Sequence, residues 1–335
     1  MKTLPNSDAE KGVPFTAADF FEAGRERLQL HIAAGRDHLD RVIEEPVVNR
    51  PGLALTGFFE SFAWGRVQMI GNAEACYIRS LKKPDRIRSY RALMENKAWL
   101  FVATNGREPD EWAVKLAEEL GAVILVTDLQ TRVFARLATF ILEQLGAPRT
   151  SIYGTMVEVC GLGVMFEGDP GLGKSETALG LIKHGSALIA DDLTCIRKDV
   201  ATNLLFGSAS ESTAGYMEIR GIGIMHVPSV FGVNAVRGEK RLQLVITFKR
   251  LNEIRGEVDR IGQTRRMRTI LGVDVPNIII PVSEGRDLVN LVETAAQQQK
   301  LINAGYDSVA ELSERLRKRA DKPQSEKRKG RTHGR

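Results

Sequence analysis

Residues 168–175 read Gly-Asp-Pro-Gly-Leu-Gly-Lys-Ser, which matches the phosphate-binding loop G-x-x-x-x-G-K-[ST] at every fixed position. Such a loop constrains the fold, because it binds phosphate only between a buried strand and a helix whose N-terminus faces the anion. The apolar run Leu162–Glu167 predicts that strand, and Ser175–His184 predicts that helix. A glycine-rich turn with a chance lysine is the alternative, and the flanking elements disfavour it.

Each part of the loop has a predicted task. The three glycines let backbone N–H groups turn inward around phosphate oxygens. Lys174 supplies a positive charge for the β- and γ-phosphates, and the Ser175 hydroxyl is a ligand for Mg²⁺. The predicted nucleotide site therefore consists of Gly168, Asp169, Pro170, Gly171, Leu172, Gly173, Lys174 and Ser175.

Two adjacent carboxylates follow the next apolar run, Ala187–Ala190. Asp191 and Asp192 come directly after the strand that follows the loop's own helix, so we expect them near the γ-phosphate. One could hold the hydration shell of the metal and the other could accept a proton from an attacking hydroxyl. The alternative is that they only end a strand and begin a turn.

Composition narrows the protein class. No apolar stretch reaches membrane-spanning length, and the first residues lack the apolar region of a signal peptide, so we expect no membrane partner. Three widely spaced cysteines suit a reducing cytoplasm. Residues 315–335 hold ten Lys and Arg against two Asp and Glu, so the net charge of +5 comes from the tail. Because the basic residues are not spread over a folded surface, we do not expect a nucleic-acid partner.

The remaining pattern indicates two α/β domains. Residues 1–14 are predicted to be a flexible leader, 15–147 an N-terminal α/β domain, 148–319 a P-loop kinase domain and 320–335 a disordered basic tail. In the first domain we predict helices at Thr16–Glu22, Asp110–Leu120 and Thr131–Leu145, and strands at Leu53–Thr56, Arg66–Ile70, Ala98–Ala103 and Ala122–Thr127. In the second we predict further strands at Val157–Val159, Leu242–Phe248 and Ile278–Val282, and helices at Asp287–Ala304 and Ser308–Arg319.

Three stretches resemble a known family, the HPr kinase/phosphorylases. They are the loop with its Asp pair, Glu218-Ile-Arg-Gly-Ile-Gly-Ile224, which is close to the family signature E-I-R-G-L-G-I, and Pro281-Val-Ser-Glu-Gly-Arg286, which is similar to P-V-x-x-G-R. Arg50–Phe59 resembles the first domain of the same family. The resemblance implies a C-terminal P-loop kinase domain like that of phosphoenolpyruvate carboxykinase, behind an N-terminal α/β domain.

The resemblance also implies an activity. Family members use ATP or pyrophosphate with Mg²⁺ to phosphorylate a serine of HPr, the phosphocarrier of the sugar phosphotransferase system, and they reverse the reaction by phosphorolysis. The family is hexameric. By position, Lys174 matches the phosphate lysine, Asp191 the base, and Arg260 the catalytic arginine. Ser175 and Glu218 match the metal ligands, and residues 281–286 match a segment linked to dephosphorylation.

The residues themselves leave alternatives. Without the resemblance, Glu218 and Arg220 would be interpreted as an exposed ion pair and Arg260 as a solvated residue in a charged run. The sequence also departs from the family pattern, because Tyr153 and Glu158 stand where the family has histidine and aspartate. We predict a weak phosphorylase from the loss of that histidine. A kinase retargeted to another substrate and a non-catalytic nucleotide sensor are the competing functions.

Overall fold

The computed structural model describes residues 12–253, 266–283 and 285–320. Arg260, most of the predicted leader and residues 321–335 of the tail lie outside these ranges. The described residues divide into two compact units. The first contains the residues up to Arg149 together with Asp199–Thr202, and the second contains Thr150–Lys198 and the residues from Asn203 onward. No helix within the described ranges is both long and apolar enough to cross a membrane.

The first unit is a five-stranded sheet between two layers of helices. Its strands are β1 (Leu30–Ala34), β2 (Val48–Asn49), β3 (Val67–Ile70), β4 (Leu100–Ala103) and β5 (Val123–Thr127), and its helices are α1 (Ala17–Gly24), α2 (Gly52–Leu55), α3 (Asn72–Ser80), α4 (Lys83–Glu95), α5 (Glu111–Leu120) and α6 (Thr131–Gly146), with a 3-10 turn at Arg36–His38.

The order of the strands is β1-β5-β4-β3-β2. Strands β2 to β5 pair in parallel, as the alternation of strand and helix in the sequence predicts, and β1 joins β5 antiparallel. Successive residues of a strand point to opposite faces, so the side chains of the sheet contribute to two hydrophobic cores, one on each face. Helices α1 and α6 cover one face, and α2 to α5 cover the other.

One predicted element of this unit is wrong. The predicted strand Leu53–Thr56 is instead the end of the short helix α2, with Thr56 as the C-cap residue. A strand of this sheet is covered on both faces, whereas here Leu53 is 71% exposed while Ala54 and Leu55 are buried, as on one turn of a helix at the surface. Pro51 precedes the helix, where its fixed φ suits a first turn.

The second unit is built on a nine-stranded sheet. Its strands are β6 (Arg149–Tyr153), β7 (Thr155–Val159), β8 (Leu162–Glu167), β9 (Ala187–Ala190), β10 (Leu193–Asp199), β11 (Leu204–Ser208), β14 (Glu239–Arg250), β15 (Arg266–Ile270) and β16 (Val273–Val282). A separate hairpin is formed by β12 (Tyr216–Ile219) and β13 (Gly223–His226). The helices of this unit are α7 (Lys174–Lys183), α8 (Val227–Phe231), α9 (Leu288–Asn303) and α10 (Ser308–Ala320), with 3-10 turns at Val233–Ala235 and Leu251–Glu253.

The central strands carry the phosphate loop. The path of the sheet is β6-β10-β11-β14-β8-β7-β9, with β16 on the other side of β14 and β15 beyond it. Strands β8 and β14 run in parallel, and Phe166 stacks on Phe248 just below the loop with ring centroids 5.6 Å apart. Helices α7 and α9 pack on this core. Full burial of each aromatic ring stabilises the sheet by about 2 kcal/mol, so the base of the loop is rigid.

Strand β7 is inserted between the two strands that carry the site. It pairs antiparallel with β8 on one side and with β9 on the other. Its start, Thr155, therefore lies at the edge of the sheet where β8 and β9 both end, which is the edge that holds the loop and the Asp pair.

Candidate active site at the phosphate loop

The loop between β8 and α7 adopts a conformation that depends on its glycines. The φ angles of Gly168, Gly171 and Gly173 are 146°, 83° and 83°, in the region that other residues rarely adopt. A Cβ on Gly168 would also lie 2.6 Å from the carbonyl oxygen of Phe248. Leu172 is buried in the core and anchors the loop from below, whereas Asp169 and Pro170 are exposed. The backbone therefore forms a fixed cradle that is open to solvent.

Lys174 lies across this cradle. Its Nζ donates to the carbonyl oxygens of Gly168 at 2.8 Å and Asp169 at 3.3 Å. These bonds keep the ammonium group over the loop, where a phosphate would meet it. The first residues of α7 add the positive end of the helix dipole at the same place.

Asp191 is the centre of a hydrogen-bond network beside the loop. It is 8% exposed. Its Oδ1 accepts from Thr155 Oγ1 at 2.8 Å and from Ser175 Oγ at 3.0 Å, and its Oδ2 accepts from the backbone N–H of Glu218 at 3.1 Å. One carboxylate thus joins β7, α7 and β12 to the end of β9.

Burial raises the pKa of Asp191 above its usual value of 3.8. The hydrogen bonds from Thr155, Glu218 and Ser175 lower the pKa and so oppose the burial effect, and the neighbouring charge of Asp192 raises it further. A carboxylate with a raised pKa is a stronger base than a solvated one. Three donors also hold it in one orientation.

Asp192 differs from its neighbour in almost every respect. It is exposed, and its φ of 60° places it in the left-handed region. Its carbonyl oxygen accepts from the N–H of Gly154 at 2.8 Å, which ties the turn to the end of β6. The turn therefore directs one carboxylate into the protein and leaves the other accessible to a substrate.

Glu218 and Arg220 come from the β12–β13 hairpin. Met217 and Ile219 are buried in the core, so the alternate residue Glu218 is exposed on the other side of β12. A Cβ on Gly171 would lie 3.7 Å from Nη1 of Arg220, so this guanidinium reaches the mouth of the loop. No carboxylate of the described residues pairs with Arg220, and the exposed Glu218–Arg220 ion pair is not formed.

Tyr153 and Glu158 have separate locations. Tyr153 ends β6 with 77% of its surface exposed and precedes Gly154, which contacts Asp192. Glu158 pairs across the sheet with Gly163, five residues before the loop begins, so it lies about 16 Å from the loop along the strand. There its carboxylate contacts Lys240 at 3.1 Å and Arg237 at 3.4 Å. Glu158 therefore belongs to a different part of the domain.

Sequence reasoning missed Thr155, and it placed no function on Arg220. A threonine at the start of a strand carries no signal of its own, and only the insertion of β7 beside β9 brings its hydroxyl to Asp191. Arg268 is a further cation near the loop. Its Nε lies 3.3 Å from Oε1 of Glu167, the last residue before the loop.

The residues beside the loop fit a magnesium site. Mg²⁺ prefers oxygen ligands and usually combines one or two carboxylates with water and the phosphates of a substrate. The hydroxyl of Ser175 and the carboxylates of Asp191 and Glu218 supply oxygen atoms of that kind. The described residues contain no group of three or more His, Cys, Asp and Glu side chains placed to hold a metal.

Comparison with known proteins identifies the family. Residues 16–142 match the family model for the HPr Serine kinase N terminus, and residues 144–316 match that for the HPr Serine kinase C-terminal domain. HPr kinase/phosphorylase of Leptospira biflexa is 39% identical over 305 residues, which cover 91% of this chain and 94% of that protein.

Two further similar proteins are a second curated relative and a solved structure. HPr kinase/phosphorylase of Caldicellulosiruptor bescii is 39% identical over 280 residues, covering 83% of this chain and 89% of its own length. The solved Hpr(Ser) kinase/phosphatase of Coxiella burnetii is 32% identical, with a TM-score of 0.45, over 49% of this chain and 98% of that chain. Both family models and the long matches lead to one conclusion: the chain belongs to the HPr serine kinase family.

Proposed function

We propose that this protein phosphorylates a serine of HPr with ATP or pyrophosphate as donor, and that it also removes the phosphate by phosphorolysis. The observation that carries the proposal is the link from Ser175 through Asp191 to Glu218 at a complete phosphate loop, in a chain of this family. HPr as the acceptor follows from the activity named for the relatives.

The chain's own residues have distinct roles in the forward reaction. Mg²⁺ with ATP or pyrophosphate supplies the phosphoryl group when bound, and Ser175 and Glu218 would hold the metal. Lys174 and the loop N–H groups bind the phosphate oxygens. Arg220 lies where it can neutralise charge on the transferred group, and Arg260 is proposed for the same task. Asp191 accepts the proton of the attacking serine as its oxygen bonds to phosphorus.

The reverse reaction uses the same groups in the opposite order. An oxygen of inorganic phosphate attacks the phosphoserine phosphorus, the serine O–P bond breaks, and the protonated carboxyl returns a proton to the serine oxygen. This step brings two anions together. A tyrosine side chain has no cationic form, whereas a histidine at position 153 could carry a positive charge. We therefore propose that phosphorolysis is the weaker of the two activities.

The proposal is tested by mass spectrometry of HPr incubated with this protein and Mg-ATP. We expect one added phosphate on a serine of HPr. In the matched variant Lys174→Ala the fold should persist and transfer should disappear, because the ammonium group donates to carbonyl oxygens of the open loop and its charge is used at phosphate. Unmodified HPr together with labelled protein in a cell extract would show that the kinase acts on another substrate.

The two aspartates provide a second test. Asp191→Asn should keep nucleotide binding and lose about 10²–10⁴-fold in transfer rate, because an amide cannot accept the serine proton. Asp192→Asn is the matched control and should cost less. If Asp192→Asn abolishes transfer while Asp191→Asn is mild, the exposed carboxylate is the base and the buried one orients Ser175.

We also propose the context in which the enzyme works. The family resemblance supports a homohexamer in the cytoplasm, with residues 15–147 and 148–319 as its two domains. Light scattering of the purified protein tests the hexamer, since a monomer mass near 37.0 kDa in solution would contradict it.

A further inference from the structure

At the carboxyl ends of its parallel strands the first unit holds a cluster of polar side chains that the proposed kinase chemistry does not use. Helices α3 and α5, which follow β3 and β4, pack on one face of the sheet, and α6, which follows β5, packs on the other. The connections therefore diverge between the carboxyl ends of β4 and β5. In open α/β sheets, small ligands bind where neighbouring connections diverge in this way. We name this place the β4 crevice; its lining residues are Asn72, Thr104, Asn105, Arg107 and Thr131.

The backbone of the crevice is fixed. The N–H groups of Thr104, Asn105 and Gly106 donate to carbonyl oxygens of Ile70, Leu129 and Thr127, at 3.1, 2.9 and 2.9 Å. Asn105 and Gly106 both have positive φ, 64° and 62°. A non-glycine residue with positive φ costs a small amount of conformational energy, and such residues are often found at functional sites.

Polar side chains from three connections converge above this backbone. The hydroxyls of Thr104 and Thr131 are 2.8 Å apart. The amide nitrogen of Asn105 lies 3.1 Å from Oγ1 of Thr131 and 3.3 Å from Oδ1 of Asn72. Thr104 is fully buried and its hydroxyl also donates to the carbonyl oxygen of Ile70 at 3.3 Å, whereas Asn105 and Thr131 are half-buried and Asn72 is exposed.

Arg107 gives the crevice its charge. Its Nη2 donates to Oδ1 of Asn72 at 2.5 Å. Its Nη1 is buried and has no hydrogen-bond partner, the one such side-chain atom in the described part of the chain. A buried guanidinium N–H without an acceptor is costly, because the lost hydration is not replaced. A bound acceptor in the crevice would remove that cost.

The electrostatic surroundings favour an anion. Helices α3 and α6 both begin at the crevice, and no side chain caps α6. The nearby carboxylate of Glu74 is already neutralised by Arg50, at 3.0 and 3.1 Å, and also accepts from Gly71 N. Asp128 is exposed at the rim beside Gly106, where solvent screens its charge.

From these contacts we infer that the β4 crevice binds the phosphate group of a small molecule through Arg107, Thr131 and the start of α6. Guanidinium groups and helix N-termini both bind phosphate well in proteins, and here the Thr131 hydroxyl lies at the start of α6. The inference does not depend on the kinase reaction.

Hydrogen exchange of the full-length protein, read by mass spectrometry, tests the inference with inorganic phosphate and adenosine monophosphate as separate probes. At ten times the dissociation constant, exchange through local opening should slow about tenfold in peptides covering residues 71–75, 104–107 and 128–133. Protection by both probes identifies the phosphate group as the ligand, and protection by the nucleotide alone places part of the recognition on the nucleoside. Peptides covering residues 168–175 report phosphate binding at the kinase site, so the two proposed sites are tested independently.

Arg107→Gln should abolish the protection of the crevice peptides. Arg132→Gln is the matched control, because it removes an exposed charge from the same turn of α6 and should keep the protection. If Arg107→Gln fails to melt cooperatively, Thr131→Val replaces it, with Thr131→Ser as its control. Absence of saturable protection in wild type, or equal protection in Arg107→Gln, would overturn the inference.

Discussion

Thr155→Val is the change that isolates the contribution of a single hydroxyl to the proposed base. Thr155 is fully buried, and valine has nearly the same shape, so the substitution removes the 2.8 Å hydrogen bond to Oδ1 of Asp191 and little else. That bond lowers the pKa of Asp191 against the larger opposing effect of burial. Without it, we expect the pKa to rise.

The size of the change follows from the network. A hydrogen bond to a charged group contributes about 1.5–3 kcal/mol. Ser175 also donates to Oδ1 and partly compensates, so the lower end applies. About 1.4 kcal/mol corresponds to one pH unit. Asp191 accepts a proton only when ionised, and so the acid limb of the pH–rate profile should move upward by about one unit.

Stability should follow the same sign. Because the pKa of Asp191 is higher in the folded protein than its ordinary 3.8, the folded state binds the proton more tightly. The stability gained from the protonated form is present below pH 3.8 and is lost as pH rises through the folded-state pKa. Thr155→Val raises the folded-state pKa of Asp191 further, so this stabilisation should persist to higher pH. Urea unfolding at several pH values measures the change.

The assay is the initial rate of HPr phosphorylation under kcat/KM conditions between pH 5 and 9. At pH values on the acid limb the valine variant should be about tenfold slower than wild type, and at pH values above this limb the two rates should agree closely. Thr155→Ser keeps the hydroxyl and should behave as wild type. An acid limb that stays in place in Thr155→Val would refute the assignment of this limb to Asp191.

Three further predictions concern other parts of the chain. Arg220→Gln should raise the KM for ATP or lower kcat by about tenfold, because a charge-assisted contact at the loop mouth is lost; unchanged kinetics would place this guanidinium outside the reaction. Tyr153→His should increase phosphorolysis of phosphoserine-HPr more than it increases phosphorylation across pH 6–9, and robust wild-type phosphorolysis that the change leaves unaltered would contradict the electrostatic reasoning. Deleting residues 321–335 should leave transfer rate and assembly size unchanged, as their composition predicts no buried apolar surface; dissociation on a sizing column would show that the segment forms an interface.

Most of the site could be predicted from local sequence order. The strand, glycine-rich loop and helix follow one another directly, and the next strand ends at Asp191. Strands β8 and β9 both end at the same edge of the sheet, so the loop and the Asp pair meet there. Those predictions need only periodicity and turn chemistry, both of which a short stretch of sequence contains.

The rest depends on long-range pairing that no local pattern encodes. The sequence does not show that β7 lies between β8 and β9, and so the contact of Thr155 with Asp191 was unpredictable. Arg220 is 49 positions from Gly171 in the chain and reaches it only through the β12–β13 hairpin. Leu53–Thr56 was mispredicted because four apolar or small residues fit a strand and a single helical turn equally well.

The network around Asp191 has a consequence for how this sequence can change during evolution. One carboxylate satisfies donors from Thr155, Ser175 and Glu218, which lie up to 63 positions apart in the chain. Two of these donors are side-chain hydroxyls, whereas Glu218 donates through its backbone N–H, which any residue except proline supplies. Substitutions of Thr155 and Asp191 should therefore be accepted in combination rather than singly, whereas position 218 can change without loss of this hydrogen bond.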